Sequence, residues 1–230
     1  MAAGVTVIPE LAVMDITAAQ AMLTDVFGFR SDDTSANLVM RLGDQAIALV
    51  QADRPAGHGV MDHLALAVAD LDQTLAQMRA QGAQLEATTP DGPREIAEFW
   101  QTGMRYVFLQ GPEGARIELC ARLGGSSRTG LPGHDHVGIP CTNIAASVTF
   151  WMDLGLEPIS SVDLDRADGI THVRFLRAGE SIVELYESPT LRNGPASFAD
   201  NALWRGVRLE NSGLPLGLRT GPDGLRVTVI

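Results

Sequence analysis

Apolar and polar positions alternate along the chain in a pattern that predicts the same order of elements three times: a strand, a helix and then further strands. The predicted opening strands are residues 5–13, 62–69 and 136–141. Each is followed by a residue type that caps helix N termini: Asp15, Asp70 and Asn143. In two copies, Gly82 and Gly155 stand 12 residues after the cap and predict the end of the helix. The predicted closing strands are residues 38–42, 46–50, 105–109, 117–121, 159–164, 171–177 and 181–186.

The end of the chain has strand-like patterns at 206–209 and 225–230 but no helix of the expected length, so we predict a truncated fourth copy. Linkers are predicted at 53–59 and in the Gly/Ser-rich stretch 124–133. The resulting modules are residues 1–55, 60–123, 133–189 and 200–230. This order predicts an α+β chain of repeated βαβββ modules, in which curled mixed sheets carry the helices on the outside.

Composition narrows the class of protein. A chain of 230 residues with 45% hydrophobic content can bury a large core. No run approaches the roughly 18 apolar residues of a spanning helix, and no secretory leader is recognisable. With two cysteines there is no disulfide framework, so we expect a cytoplasmic protein. The net charge of −11 disfavours nucleic acid, and we expect a small-molecule partner and no membrane. A homodimer is left open.

Two of the opening strands carry a histidine over a floor of small residues. Successive side chains of a strand face opposite sides of the sheet. His63 therefore shares its face with Ala65 and Ala67, while Leu64, Leu66 and Val68 form the other face. His136 likewise shares its face with Gly138 and Pro140. The small neighbours leave room for a ligand beside each imidazole.

The chain resembles the vicinal oxygen chelate superfamily, which includes glyoxalase I, extradiol dioxygenases, methylmalonyl-CoA epimerase and bleomycin-resistance proteins. Residues 150–156, Phe-Trp-Met-Asp-Leu-Gly-Leu, resemble the family's Phe-Tyr-x-x-x-Leu-Gly-hydrophobic helix end. Residues 111–119, Gly-Pro-Glu-Gly-Ala-Arg-Ile-Glu-Leu, resemble its Asp-Pro-Asp-Gly-x-x-Ile-Glu-Leu turn and strand, with Gly111 where an Asp is usual. The resemblance implies the βαβββ fold of this family over essentially the whole chain.

The resemblance also implies a metal site. Each central module opens with a His and closes with a Glu, and in the glyoxalase I pattern these positions hold a divalent metal: His63, Glu118, His136 and Glu184. Two imidazoles and two carboxylates suit an octahedral borderline metal with open positions, and we expect one ion of Ni, Co, Mn, Zn or Fe. Single-chain glyoxalases pair modules one with four and two with three, which implies one live central site and one degenerate half.

The outer modules lack such residues. Alignment with the second module places Ile8 and Ala48 at the His and Glu positions of the first, and the fourth offers Trp204 and an apolar 227–229. Other titratable residues have no partner in the repeat. We predict His134 as a linker residue and Glu187 as a solvated charge. His58 and His172 are predicted to be structural or surface residues.

The implied chemistry is glyoxalase I-like lyase or isomerase chemistry, in which a metal-stabilised enediolate forms and Glu118 or Glu184 is the base. A ring-cleaving extradiol dioxygenase, with two His and one carboxylate around Fe(II), is an alternative, and so is a non-catalytic binding or resistance protein.

The glutathione-binding Arg and Asn positions of bacterial glyoxalase I hold Ala67 and Arg122 in one module and Pro140 and Ser188 in the other. The sequence therefore predicts an enzyme that is not glutathione-dependent.

Substrate-contacting residues are expected on the strands beside these ligands. The candidates are Trp100, Arg105, Tyr106, Arg174 and Tyr186.

Overall fold

A computed structural model describes residues 5–32, 38–124, 133–194 and 202–230. The helices are α1 (Ile16–Asp25), α2 (Leu71–Ala80) and α3 (Ile144–Asp153). The strands are β1 (Thr6–Val13), β2 (Arg30–Asp32), β3 (Val39–Leu42), β4 (Gln45–Gln51), β5 (His63–Ala67), β6 (Arg94–Ile96), β7 (Met104–Gln110), β8 (Arg116–Arg122), β9 (Gly133–Pro140), β10 (Glu157–Arg166), β11 (Gly169–Ala178), β12 (Ser181–Glu187), β13 (Trp204–Glu210), β14 (Gly217–Thr220) and β15 (Arg226–Val229).

The strands form two mixed sheets. An eight-stranded sheet has the order β10-β11-β12-β9-β5-β8-β7-β6 and is built from residues between 63 and 187. A seven-stranded sheet has the order β14-β15-β13-β1-β4-β3-β2 and is built from both ends of the chain. The predicted fold class, an α+β arrangement of curled mixed sheets with few helices, is confirmed. The division into four modules stays a prediction.

The helices begin and pack as their sequences predict. The side chains of Asp15, Asp70 and Asn143 each accept a hydrogen bond from the backbone N–H three residues later. Buried helix residues such as Leu75 and Trp151 join one large core with the Leu64 and Leu66 face of β5. The His63 face of β5 is thereby left on the opposite side of the sheet. None of the three described helices, each of 10 residues, is long and apolar enough to span a bilayer.

Two matching turns join the sheets. Glu113, in the turn before β8, accepts hydrogen bonds from the backbone N–H groups of Met14 and Asp15 just before α1, at 2.7 and 3.0 Å. Asp223, in the turn before β15, accepts from the N–H and the hydroxyl of Thr142 just before α3, at 2.8 and 2.6 Å. In both cases a turn of one sheet therefore stabilises the start of a helix that follows a strand of the other sheet.

Some short strands escaped the sequence patterns. The edge strands β6 and β14 were not predicted, because their three or four residues, none of them fully buried, are too few to show a clear alternation. Strand β9 begins at Gly133, so the backbone of His134 lies in a strand and not in a linker. The rest of the predicted linker, residues 125–132, lies outside the described residues.

Candidate metal centre

Four neighbouring strands carry the predicted metal ligands to one place. Strands β5 and β9 are antiparallel, and His63 and His136 lie two positions apart across the pair. Strand β8 runs parallel to β5 and brings Glu118 beside the middle of β5. Strand β12 runs parallel to β9 and brings Glu184 directly beside Gly138. All four side chains therefore project from the same face in the centre of the eight-stranded sheet.

The small residue opposite His63 has a steric role. A Cβ atom at Gly138 would lie 2.0 Å from Cε1 of His63, far inside van der Waals contact. The sequence predicted that the small residues of this face leave room for a ligand, but the space above Gly138 is filled by the imidazole of His63. Gly138 is therefore required for the His63 ring to lie flat across the β5–β9 pair.

The two imidazole Nε2 atoms lie at similar distances from each other and from both carboxylate oxygens. Nε2 of His63 lies 3.1 Å from Nε2 of His136, 3.2 Å from Oε2 of Glu118 and 3.5 Å from Oε2 of Glu184. Nε2 of His136 lies 3.3 and 3.1 Å from the same two carboxylate oxygens. Around a metal bound at about 2.1 Å, neighbouring ligand atoms stand roughly 3.0 to 3.4 Å apart. The donor set therefore fits a single divalent ion.

Each histidine is oriented by the aspartate that precedes it. Nδ1–H of His63 donates to Asp62 and Nδ1–H of His136 donates to Asp135, both at 2.9 Å. When the imidazole is neutral, this pattern leaves the lone pair on Nε2, the atom that faces the cluster. Asp62 also accepts a hydrogen bond from Arg116, and these partners outweigh burial and hold the pKa of Asp62 well below its ordinary value.

Sequence reasoning missed the role of these aspartates, although the Asp-His pair is repeated. Neighbouring residues of a regular strand point to opposite faces, so an aspartate at this position is not expected to reach the histidine. The Asp62 side chain can nevertheless reach His63, because β5 begins only at His63 and Asp62 lies before the regular strand. Asp135 can reach its histidine because it is the extra residue of a β-bulge, opposite the step from Ala65 to Leu66.

The cluster is buried and rich in negative charge. His63, Glu118, His136 and Glu184 are only 1–7% exposed. Burial alone would lower the pKa of both imidazoles, but the surrounding carboxylates outweigh it and raise each pKa well above the ordinary value. Burial likewise opposes the charge on Glu184, yet the two imidazoles lower its pKa to about 2. A divalent cation can replace the imidazole protons and offset the same carboxylates, which again fits a metal site.

A second buried grouping, Cys120 with Asp135 and His136, is less suited to metal. Burial raises the pKa of the Cys120 thiol well above its ordinary value, and the thiolate is the form that binds metals. Asp135 and His136 are already hydrogen-bonded to each other there.

A cavity of about 250 Å³ opens directly beside the cluster. Of the five predicted pocket residues, Tyr106 and Tyr186 line it. Trp100 lies behind the wall, with its ring 4.6 Å from that of Phe175. Two predicted arginines are engaged elsewhere: Arg105 with Asp72 and Glu95, and Arg174 with Asp163.

In the seven-stranded sheet, the described residues at the corresponding place form no such cluster. Strands β1 and β13 pair with the same register and the same bulge as β5 and β9. This register puts Gly206, and not Trp204, at the position of His136, and Thr228 at that of Glu184. Its charged residues are Glu10 and Arg208, which form an ion pair at 2.7 Å.

Glu187 differs from its prediction as a solvated charge. It is buried, and its carboxylate accepts hydrogen bonds from the N–H of Ile144 and from Arg192. His172 is a partly exposed residue paired with Asp163, and His58 is exposed.

Comparisons with known proteins agree with this architecture. The family model of the glyoxalase/bleomycin resistance protein/dioxygenase superfamily matches residues 5–119 and 133–214. None of the curated proteins matches the chain. Among solved structures, glyoxalase I from Zea mays has a TM-score of 0.71 at 15% identity and covers 98% of this chain and 92% of its own. A putative dioxygenase from Bacillus subtilis has a TM-score of 0.64 at 12% identity, covering 96% and 83%. At these identities the structural likeness establishes the fold alone.

The match spans most of the chain, and the chain belongs to the glyoxalase/bleomycin resistance protein/dioxygenase superfamily.

Proposed function

We propose that this protein is a metal-dependent enzyme that removes a proton beside a carbonyl group of a small oxygenated substrate, as in glyoxalase I-like lyase or isomerase chemistry. One observation carries the proposal: two imidazole nitrogens and two carboxylate oxygens converge, and aspartates fix the imidazole lone pairs toward the common centre. This arrangement is that of carboxylate–histidine–metal sites.

In this proposal His63, Glu118, His136 and Glu184 hold one divalent ion of Ni, Co, Mn, Zn or Fe. The ion supplies Lewis-acid stabilisation of the negative charge that develops on substrate oxygens. The protein's own part is to accept the proton, and Glu118 and Glu184 are the candidate bases because both line the cavity. The apolar remainder of the wall excludes water from the reacting atoms.

The same residues argue against glutathione as a cosubstrate. Ala67 and Pro140 stand where a guanidinium would be needed, and Arg122 is engaged with the ring of Trp100, 3.9 Å from its centroid. A glutathione conjugate therefore lacks the bidentate arginine partner that its carboxylates would require.

Metal titration by calorimetry tests the site. The wild type should bind one divalent ion per chain, while His63→Ala and Glu184→Ala should lose binding with the fold retained by circular dichroism. Stoichiometric metal in both folded variants would contradict the ligand assignment.

The reaction is tested by deuterium uptake from D₂O, followed by NMR, on a panel of hydroxyketones. The hemithioacetal of methylglyoxal and glutathione serves as the comparison. A kcat/KM of roughly 10⁴ M⁻¹s⁻¹ or above on that hemithioacetal would overturn the glutathione-independent assignment.

A dioxygenase is the second candidate, because the ligand atoms of His63, Glu118 and His136 lie within 4.8 Å of one another and form the two-histidine, one-carboxylate set of Fe(II) oxygenases. Glu184→Ala separates the two functions. A dioxygenase site should keep Fe(II) and catechol-dependent oxygen uptake in this variant, whereas the proposed lyase or isomerase site loses its metal. Binding of small molecules without any turnover would favour the binding-protein alternative.

We also propose a cytoplasmic location, supported by Cys120 and Cys141, which are both free and buried. A homodimer stays a prediction that sedimentation analysis can test.

A further inference from the structure

The cavity beside the candidate metal centre has two chemically different ends. Its polar end is formed by Asp62, His63, Glu118 and Glu184. The wall away from these residues is almost entirely apolar or aromatic, and it includes Ile96, Phe99, Met104, Phe108, Leu164 and Val173. Thr171 and the hydroxyl groups of Tyr106 and Tyr186 also line the cavity, but a molecule bound here meets charged residues of the wall at one end only.

Aromatic side chains are concentrated around this cavity. The chain has only two tyrosines, and both of them line it. The ring centroid of Phe108 lies 5.2 Å from that of His63, and that of Tyr106 lies 5.7 Å from Phe108. On the other side the Phe175 ring packs 5.9 Å from His136. Rings thus extend from the imidazoles outward and offer a surface for a flat or apolar ligand body.

The wall offers no positive charge to an anionic ligand. The chain contains no lysine, and among the residues that the structure describes no arginine lines the cavity. Arg94 and Arg166 act electrostatically on the hydroxyl of Tyr106, but both are exposed, and Arg166 is paired with Glu98. An anionic group in the cavity would therefore lose its hydration and face carboxylates, which is unfavourable.

The cavity is also bounded by both edges of the eight-stranded sheet. Ile96 belongs to β6 and Leu164 to β10, the two edge strands of the eight-stranded sheet, so the curled sheet brings its opposite edges to one cavity. Arg166 and Glu98 connect these edges through two hydrogen bonds of 2.8 and 3.2 Å. The volume of about 250 Å³ lies below the roughly 300 to 1,000 Å³ of sites for drug-sized ligands.

We infer that the substrate has a compact, uncharged, apolar body that lies between the walls formed by Ile96 and Leu164, with its oxygen atoms directed to the polar end. This inference rests on the proposed function, because the cluster must hold a metal for the oxygen atoms to be bound there. It excludes conjugates of peptides, nucleotides and other anionic carriers as the part enclosed by the cavity.

Hydroxamic acids test the inference, because they present one constant pair of oxygen donors on different bodies. We would titrate the protein, loaded with the divalent metal that it binds, with acetohydroxamate, benzohydroxamate and 4-carboxybenzohydroxamate. Calorimetry measures each affinity. Benzohydroxamate should bind on the order of 10- to 100-fold more tightly than acetohydroxamate, because its ring buries additional apolar surface. The carboxylated compound should bind about tenfold more weakly than benzohydroxamate.

Variants connect this selectivity to the wall. Ile96→Ala and Leu164→Ala should each reduce the preference for benzohydroxamate by roughly threefold to tenfold, because they remove apolar contacts. Both residues are only partly buried, so their truncation should leave the fold intact. Neither variant should change the affinity for acetohydroxamate or for the metal. Ile170→Ala, at an exposed isoleucine that does not line the cavity, is the matched control and should leave all affinities unchanged.

The outcomes separate the two proposals. If metal binds but the two hydroxamates have equal affinity, the inference is overturned while the proposed function stands. If 4-carboxybenzohydroxamate binds more tightly than benzohydroxamate, the inference that the substrate body is uncharged is overturned. Such a result would indicate that the arginines near Tyr106 bind the carboxylate. Absence of metal binding overturns the proposed function, and the inference with it.

Discussion

Replacing Asp135 or Asp62 with asparagine removes a negative charge from behind a histidine of the candidate metal centre while it preserves the size of the side chain. Each carboxylate accepts the Nδ1–H of the next residue at 2.9 Å, which keeps the lone pair on Nε2. An amide oxygen can accept the same hydrogen bond, but without the charge that makes the imidazole a better ligand. If the amide NH₂ turns toward Nδ1, it favours the tautomer whose Nε2 carries the proton and cannot bind metal. Both effects weaken metal binding.

The expected loss differs between the two sites. Removing a carboxylate that orients a ligating histidine costs roughly 10- to 100-fold in metal affinity, or about 1.4 to 2.7 kcal/mol. The Asp135 side chain is 2% exposed, whereas that of Asp62 is 18% exposed and is also paired with Arg116. Solvent and the guanidinium already offset part of the charge of Asp62. The loss of metal affinity should therefore be near tenfold for Asp62→Asn and near 100-fold for Asp135→Asn.

Competition calorimetry with a chelator measures these affinities, and thermal unfolding shows whether each variant keeps its fold. Asp163→Asn is a matched control, because Asp163 makes the same contact with Nδ1 of His172 at 2.8 Å, outside the candidate site. Its metal affinity should equal that of the wild type. If all three variants bind metal within about twofold of the wild type, the aspartates do not orient the ligands and the geometric reasoning is refuted.

Other substitutions test the fold. Trp151→Ala, at a fully buried ring, should lower the free energy of unfolding in urea by about 3 to 5 kcal/mol; a loss below about 1 kcal/mol would contradict its place in the core. Glu187 accepts hydrogen bonds from the N–H of Ile144 and from Arg192, which outweigh burial and lower the pKa of Glu187 in the folded protein. The ionised carboxylate should therefore stabilise the fold at pH values above its pKa in the unfolded chain. This contribution should be lost as the pH falls through the pKa of Glu187 in the folded protein. Glu187→Gln should therefore lose less stability than the wild type between about pH 6 and pH 3. Arg208→Met should cost up to about 3 kcal/mol, and adding Glu10→Gln should recover part of it; simple additivity of the two would refute coupling of the pair.

The sequence predicts most of what depends on short-range order. Helix starts followed from cap residues such as Asp70, and the face of β5 followed from alternation, because both are properties of neighbouring residues. The orientation of Asp135 depends on a bulge, which exists only when β5 lies opposite β9. The burial of Glu187 depends on the N–H of Ile144, 43 residues away along the chain. Such contacts leave no local pattern.

The two sheets explain why chemistry is proposed for only one of them. The seven-stranded sheet keeps the strand register, the bulge and the turn of its counterpart, so its backbone retains the frame of a site. The side chains of this sheet do not provide metal ligands, because Gly206, with a φ of +154°, occupies the position of His136. A Cβ atom there would lie 2.4 Å from the carbonyl oxygen of Arg226, so a histidine requires the backbone of β15 to move. Substituting single ligands into this half therefore cannot restore a site, and the Glu10–Arg208 pair occupies the space as a structural contact.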